Sequence, residues 1–262
     1  MASLGREIYL CPQTRPEPER GQQGRVRDVA TERVRQILDA ATADAGREGS
    51  LPRSLCEACA GAVPVSGVGL ALMSERGPEG LVAATDGPAI AMEDLQFSLG
   101  EGPCVDASSS GRPVLQPDLR STGPPRWPGF GPAALDAGIA AIFAFPLQVG
   151  RIRLGVLDLY RDTPGILTPD QLTESLAYAD AAAMVLLHLQ ARQPPGGELD
   201  PDLIGACLNL AEVHQATGMI AVQATVGLTE ALLLLRAHAY GSERKILDVS
   251  YDVLHRHLRF DH

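Results

Sequence analysis

Residues 139–161 read IAAIFAFPLQVGRIRLGVLDLYR. Two apolar runs, Ile139–Gln148 and Arg151–Arg161, meet at the tight connection Val149-Gly150. In the second run Ile152, Leu154 and Val156 alternate with Arg151 and Arg153, the two-residue period of a strand. Two such runs joined by so short a turn form a β-hairpin. Phe143 and Phe145 stand two apart on the first strand and so share a face.

Working outward, Thr163-Pro164-Gly165 breaks the pattern, and a long helix follows to about Ala191, with Thr168 as cap and Pro169 in its first turn. Upstream, Val68–Met73 and Leu81–Thr85 flank a Gly/Pro-containing turn and predict a second hairpin. Pro113–Leu115 reads as a short strand. Val26, Val29, Val34, Ile37, Leu38 and Ala41 recur at helical spacing between Val26 and Gly46. A second helix is expected over Leu51–Ala62, capped by Ser50. Residues 1–23 mix proline, glycine and alternating charge and are expected to be poorly ordered. At the other end, Gln193-Pro-Pro-Gly-Gly marks a boundary, and three helices are predicted after it, over 202–224, 229–241 and 243–258, with Thr229 and Ser242 as caps of the last two. The division is therefore a tail (1–23), an α+β domain (24–192), a linker (193–200) and a helical unit (201–262).

A chain of 262 residues with 45% apolar content can fill one or two cores. Its net charge of -10 excludes a protein that coats nucleic acid non-specifically, because phosphate binding needs local cations. Positive character is local: five of the six histidines, the single lysine Lys245, and Arg236, Arg244, Arg256 and Arg259 lie at or after His214. Nine acidic residues from Glu198 onward offset them, so this is a patch and not a bulk property. The five cysteines have no framework spacing, no apolar leader opens the chain, and no run is long enough to span a bilayer. A cytoplasmic, reducing location is expected. Cys56 and Cys59 fall on one helix with no further ligand nearby in sequence, so no metal site is read from them. No catalytic constellation and no cofactor motif stands out, and the chain is not expected to be an enzyme.

The order of these elements, together with Leu99-Gly-Glu-Gly-Pro-Cys104, Gly111-Arg-Pro-Val114, Ala144-Phe-Pro-Leu147 and Leu154-Gly-Val-Leu-Asp-Leu-Tyr160, resembles a GAF domain over about residues 26–192. The resemblance implies an antiparallel sheet flanked by helices, with a small-molecule pocket on one face. Cys104, Trp127, Phe130, Phe143 and Phe145 are the residues that would line it, Trp127 and Phe130 as a lid; core packing is the plainer role for the aromatics. GAF domains also include methionine sulfoxide reductases, which leaves a redox role for Cys104 open.

In the helical unit, Ala216-x-Gly218-Met219, then Ala231, Leu235-Arg236 and Ala239, then Val249 and Val253, resemble the ANTAR domain over about 205–259. That family implies a three-helix RNA-binding module that grips paired hairpin loops of leader RNA and prevents transcription termination. On that resemblance Gln215, Thr217 and Gly218 would face loop bases, and Arg236, Tyr240, Arg244 and Lys245 would contact phosphates. The sequence departs from the family at Thr217, often basic, and at Ser250, usually alanine. Gly218 in mid-helix predicts close approach of a neighbouring helix or ligand, and apolar residues on more than one face of the first helix predict burial against a partner protomer as well as its own unit. The expected partners are RNA, a second copy of the chain and a small effector, and no membrane. A DNA-binding transcription factor remains the alternative.

Overall fold

A computed structural model of the protein describes residues 20–74, 77–191 and 200–260. In chain order, α1 (Arg20–Glu48) and α2 (Leu51–Ala62) precede β1 (Gly67–Ser74) and β2 (Gly77–Ala84). Next come α3 (Gly87–Leu99), α4 (Pro103–Ser110), β3 (Val114–Gln116), α5 (Leu119–Arg126) and α6 (Phe130–Asp136). Then follow β4 (Ala141–Val149), β5 (Ile152–Arg161), α7 (Pro169–Ala191), α8 (Pro201–Gln223), α9 (Leu228–Gly241) and α10 (Ile246–Leu254). The tail expected over 1–23 lies outside the described residues except for Arg20–Gln23, which open α1, and the linker lies outside them except for Asp200, the N-cap of α8.

The 139–161 hairpin forms as predicted and sits inside a five-stranded antiparallel sheet of order β2-β1-β5-β4-β3. Strand periodicity decides what each face buries. Phe143, Phe145, Leu157 and Leu159 point toward α1, α2 and α7, where Val34, Ile37, Leu55, Cys56, Cys59 and Leu186 complete one core. Ile142, Ala144, Val156 and Tyr160 point the other way, into a second core with Met92, Cys104, Trp127 and Phe130. Both helix starts read from sequence hold: Ser50 Oγ accepts from Arg53 N at the head of α2, and Thr168 Oγ1 from Gln171 N at the head of α7.

The C-terminal helices have a core of their own, in which Val213, Ala216, Ile220, Ala231, Leu235, Ala239, Ile246, Val249 and Val253 are buried. The unit is nevertheless not separate from the sheet. Leu203 and Ala206 of α8 belong to the α1–α2–α7 core, and β2 approaches so closely that a Cβ on Gly80 would meet Ala206 Cα at 2.7 Å. Part of the second apolar face of α8 is covered within this chain by β2, while Leu208 and Val222 stay exposed. Farther on, Phe97 of α3 packs against the α8–α10 core. The helical unit thus straddles the β2 edge, touching one face through α8 and the α3 side through α9 and α10.

Two caps differ from expectation. The N-caps of α9 and α10 are Gly227 and Lys245, neither with a side-chain cap bond, and Ser242 instead ends α9, its hydroxyl donating to His238 O at 2.6 Å. The left-handed turns after α8, α9 and α10 fall on Thr225, Glu243 and Arg256, not on glycine. Each is closed by a backbone bond five residues back: Val226 N to Ala221 O, Arg244 N to Ala239 O and His257 N to Asp252 O. No single described helix is long and apolar enough to cross a membrane.

Candidate functional sites

The five residues expected to share one small-molecule pocket lie on opposite sides of the sheet. Phe143 and Phe145 pack in the α1–α2–α7 core, and Cys104, Trp127 and Phe130 in the α3–α6 core. The lid expected of Trp127 and Phe130 is pinned and buried. Their rings meet edge-on at 6.2 Å, Trp127 Nε1 donates to Asp106 Oδ2 at 3.3 Å, and the Glu101 carboxylate accepts from the N–H groups of Gly129 and Phe130, both at 2.6 Å. Arg126 adds its guanidinium over the Trp127 ring at 4.6 Å.

Cys104 has other company. Glu93 from α3 and Asp158 from β5 reach it across the same core, and all three are buried. Gln96 ties the group together: its Nε2 donates to Asp158 Oδ2 at 3.0 Å and its Oε1 accepts from Cys104 N at 2.8 Å. Burial and the facing Asp158 carboxyl push Glu93 well above the ordinary carboxylate range, and burial raises Asp158 too. The Cys104 thiol is likewise pushed well up, first by burial and then by the two carboxyl groups. That is the opposite of the lowered thiol a reactive cysteine uses. Glu93 and Gln96 were not singled out from sequence. The one visible signal was an aspartate at an inward position of the apolar run Leu154–Tyr160.

The seven residues expected to read RNA divide three ways. Gln215 is exposed and lines, with Gly218, Met219, Val222, Gln223, Arg256 and Arg259, an open groove of about 710 Å³ between α8 and the C-terminal segment. Thr217 is buried, its hydroxyl donating to Val213 O at 2.7 Å, so it does not present itself to a base. Arg236, expected to contact phosphate, is half-buried against the Gly100 end of α3, and its Nε has no partner among the described residues. Tyr240 is exposed. Lys245 pairs with Asp94 of α3 at 2.7 Å, and Arg244 with Asp252 at 2.8 Å. Between α3 and α9–α10 lies a crevice of about 450 Å³ lined by Leu95, Leu99, Arg236, Tyr240, Arg244 and Lys245. Gly218 is not in close contact with any helix: a Cβ there would meet nothing within 4 Å.

The family model described as GAF domain matches residues 49–186, more than half of the chain, and the chain belongs to the GAF family. No match was found among curated proteins. The GAF domain of an Acinetobacter phosphoenolpyruvate-protein phosphotransferase is 13% identical, with a TM-score of 0.46 over 63% of this chain and 97% of that one. The corresponding domain from Coxiella burnetii is 15% identical, with a TM-score of 0.45 over 62% and 95%. A type II free methionine-R-sulfoxide reductase from Thermoplasma acidophilum is 17% identical, with a TM-score of 0.40 over 52% and 89%.

Proposed function

We propose that this GAF protein is a regulator in which α8–α10 form an ANTAR-type module that binds hairpin loops of leader RNA and prevents transcription termination. The carrying observation is Gly218. A glycine in mid-helix costs about 1 kcal/mol relative to alanine, yet no packing among the described residues requires it. It lies in the groove that also holds Gln215, Arg256 and Arg259. A residue with no Cβ beside an amide and two guanidinium groups lets a nucleotide backbone or base edge come close while cations meet phosphate. Loops and unpaired ends of RNA are recognised in this manner, whereas duplex DNA is read by an element inserted in its major groove.

The GAF domain supplies control. Its α3 engages Arg236 and Lys245, so two of the expected phosphate contacts are held back in this conformation, and a small effector would act by moving α3. Leu176, Met184 and Leu187 are exposed along α7, a strip suited to a second copy of the chain.

The test is Gly218→Ala, with a tandem-hairpin RNA followed by fluorescence anisotropy and duplex DNA as competitor. The substitution is expected to raise folding stability by about 1 kcal/mol and to weaken RNA binding at least tenfold. Unchanged RNA binding, or tighter sequence-dependent binding to the duplex, would remove the reading.

A further inference from the structure

The group gathered over β5 is more than packing demands. One ligand atom each from Glu93, Cys104 and Asp158 lies within 4.8 Å of the other two. The three come from α3, α4 and β5, and none is more than 3% exposed. Glu93 Oε1 and Asp158 Oδ1 receive no hydrogen bond from any other described group, so only a proton shared between the two carboxyls pairs them. With both ionised, each would be an unpaired buried charge, at a cost above the about 1–3 kcal/mol of a neutral polar atom.

The sheet beneath is hollowed to hold them. Asp158 is flanked in register by Gly69 on β1 and Ala144 on β4. A Cβ on Gly69 would strike the Glu93 carboxyl, so the glycine leaves the space that the carboxyl occupies. Gln96 holds Asp158 by Oδ2 and the Cys104 backbone by its N–H, leaving Asp158 Oδ1 to meet the Glu93 carboxyl. Such outer bonds orient first ligands in metal sites.

We propose that Glu93, Cys104 and Asp158 bind a divalent transition-metal ion, Zn²⁺ or Fe²⁺. A sulfur donor beside two carboxylates favours these over Mg²⁺ or Ca²⁺, which take oxygen alone. Zn–S bonds of about 2.3 Å and Zn–O bonds of about 2.0–2.2 Å need ligand separations below about 4.5 Å, so small side-chain rotations close the site. On binding, the Cys104 thiol and the protonated Glu93 carboxyl each give a proton to solvent, and the two charges of the ion offset two of the three anionic ligands, leaving one negative charge on the complex. Three protein ligands leave a coordination position for a small molecule. The site stands whether or not α8–α10 bind RNA.

The test uses the full chain, stripped of metal with a chelator and titrated with Co²⁺ as a spectroscopic probe. One equivalent is expected to bind with a sulfur-to-cobalt charge-transfer band that disappears in Cys104→Ser. Glu93→Gln, close in shape, is expected to weaken binding at least tenfold, with circular dichroism verifying its fold. Should Cys104→Ser fail to fold, thermal unfolding decides: Zn²⁺ is expected to raise the Tm of the parent and not that of Glu93→Gln. The proposal is overturned by no stoichiometric uptake, by a sulfur band that survives Cys104→Ser, or by an equal Zn²⁺ shift in parent and Glu93→Gln. Any of these would leave a proton-sharing acid pair.

Discussion

Ser250 shows how a single hydroxyl can work against its fold. It is fully buried on α10 between Val249 and Val253, and its Oγ has no hydrogen-bond partner among the described residues. Alanine removes the orphaned group without opening a cavity larger than one oxygen. Ser250→Ala is therefore expected to stabilise the protein by about 1 kcal/mol, read as a higher urea midpoint at unchanged slope; destabilisation would show that the hydroxyl has a partner in solution. Thr217 makes the complementary point. Its hydroxyl is spent on the Val213 carbonyl inside its own helix, so the residue packs, while Gln215 is exposed and lines the α8 groove with Gly218. Sequence alone could not separate these neighbours, because orientation on a helix turns by 100° per residue and depends on which face the rest of the chain covers.

Legibility in sequence follows how cleanly an element is buried. β4 and β5 alternate without interruption and were readable, as were α2 and α7, whose caps are held by side chains. Helices α3 to α6 were not placed individually. The buried face of α3 carries Glu93 and Gln96 beside Ala89 and Met92, which spoils an apolar period, and α5 contains Pro124 and Pro125. Residue type alone groups Phe143 and Phe145 with Trp127 and Phe130, whereas strand parity sends them to the opposite face. The close packing of α8 on β2 was also invisible, being a contact between Gly80 and Ala206. Gly80 has φ +155 and no room for a Cβ, so Gly80→Ala is expected to cost about 1–3 kcal/mol through overpacking. Hydrogen exchange should rise throughout α8–α10 in that variant. Exchange that rises only in β2 would show that the helical unit does not depend on this seat.

For the whole molecule, α3 is the shared part. Its inner face gives Glu93 and Gln96 to the buried cluster, and its outer face gives Asp94 to Lys245 and its end to Arg236. A shift of one helix would be felt on both sides, which is the minimum a sensor needs to pass occupancy to an output module. The Asp94–Lys245 pair is partly exposed, and such pairs contribute about 0–1 kcal/mol. On the RNA-binding reading proposed above, Asp94→Asn is expected to raise RNA affinity by up to about fivefold at low salt, with the difference fading as ionic strength rises. No change in affinity at any salt would show that the pair does not restrain Lys245.

The sheet ends in two unlike borders. β3 is only three residues long, too short to recruit another strand. β2 is eight residues long and carries two register irregularities against β1, along with Pro78 and Glu79, all features that discourage edge pairing. The helical unit bestriding that border adds a physical cover. Lifting α8 from β2 would therefore leave the irregularities, Pro78 and Glu79 as the remaining protection of this edge against a strand from another molecule. Loss of the α8 seat would on that account show as concentration-dependent association through β2, held in check by those same residues.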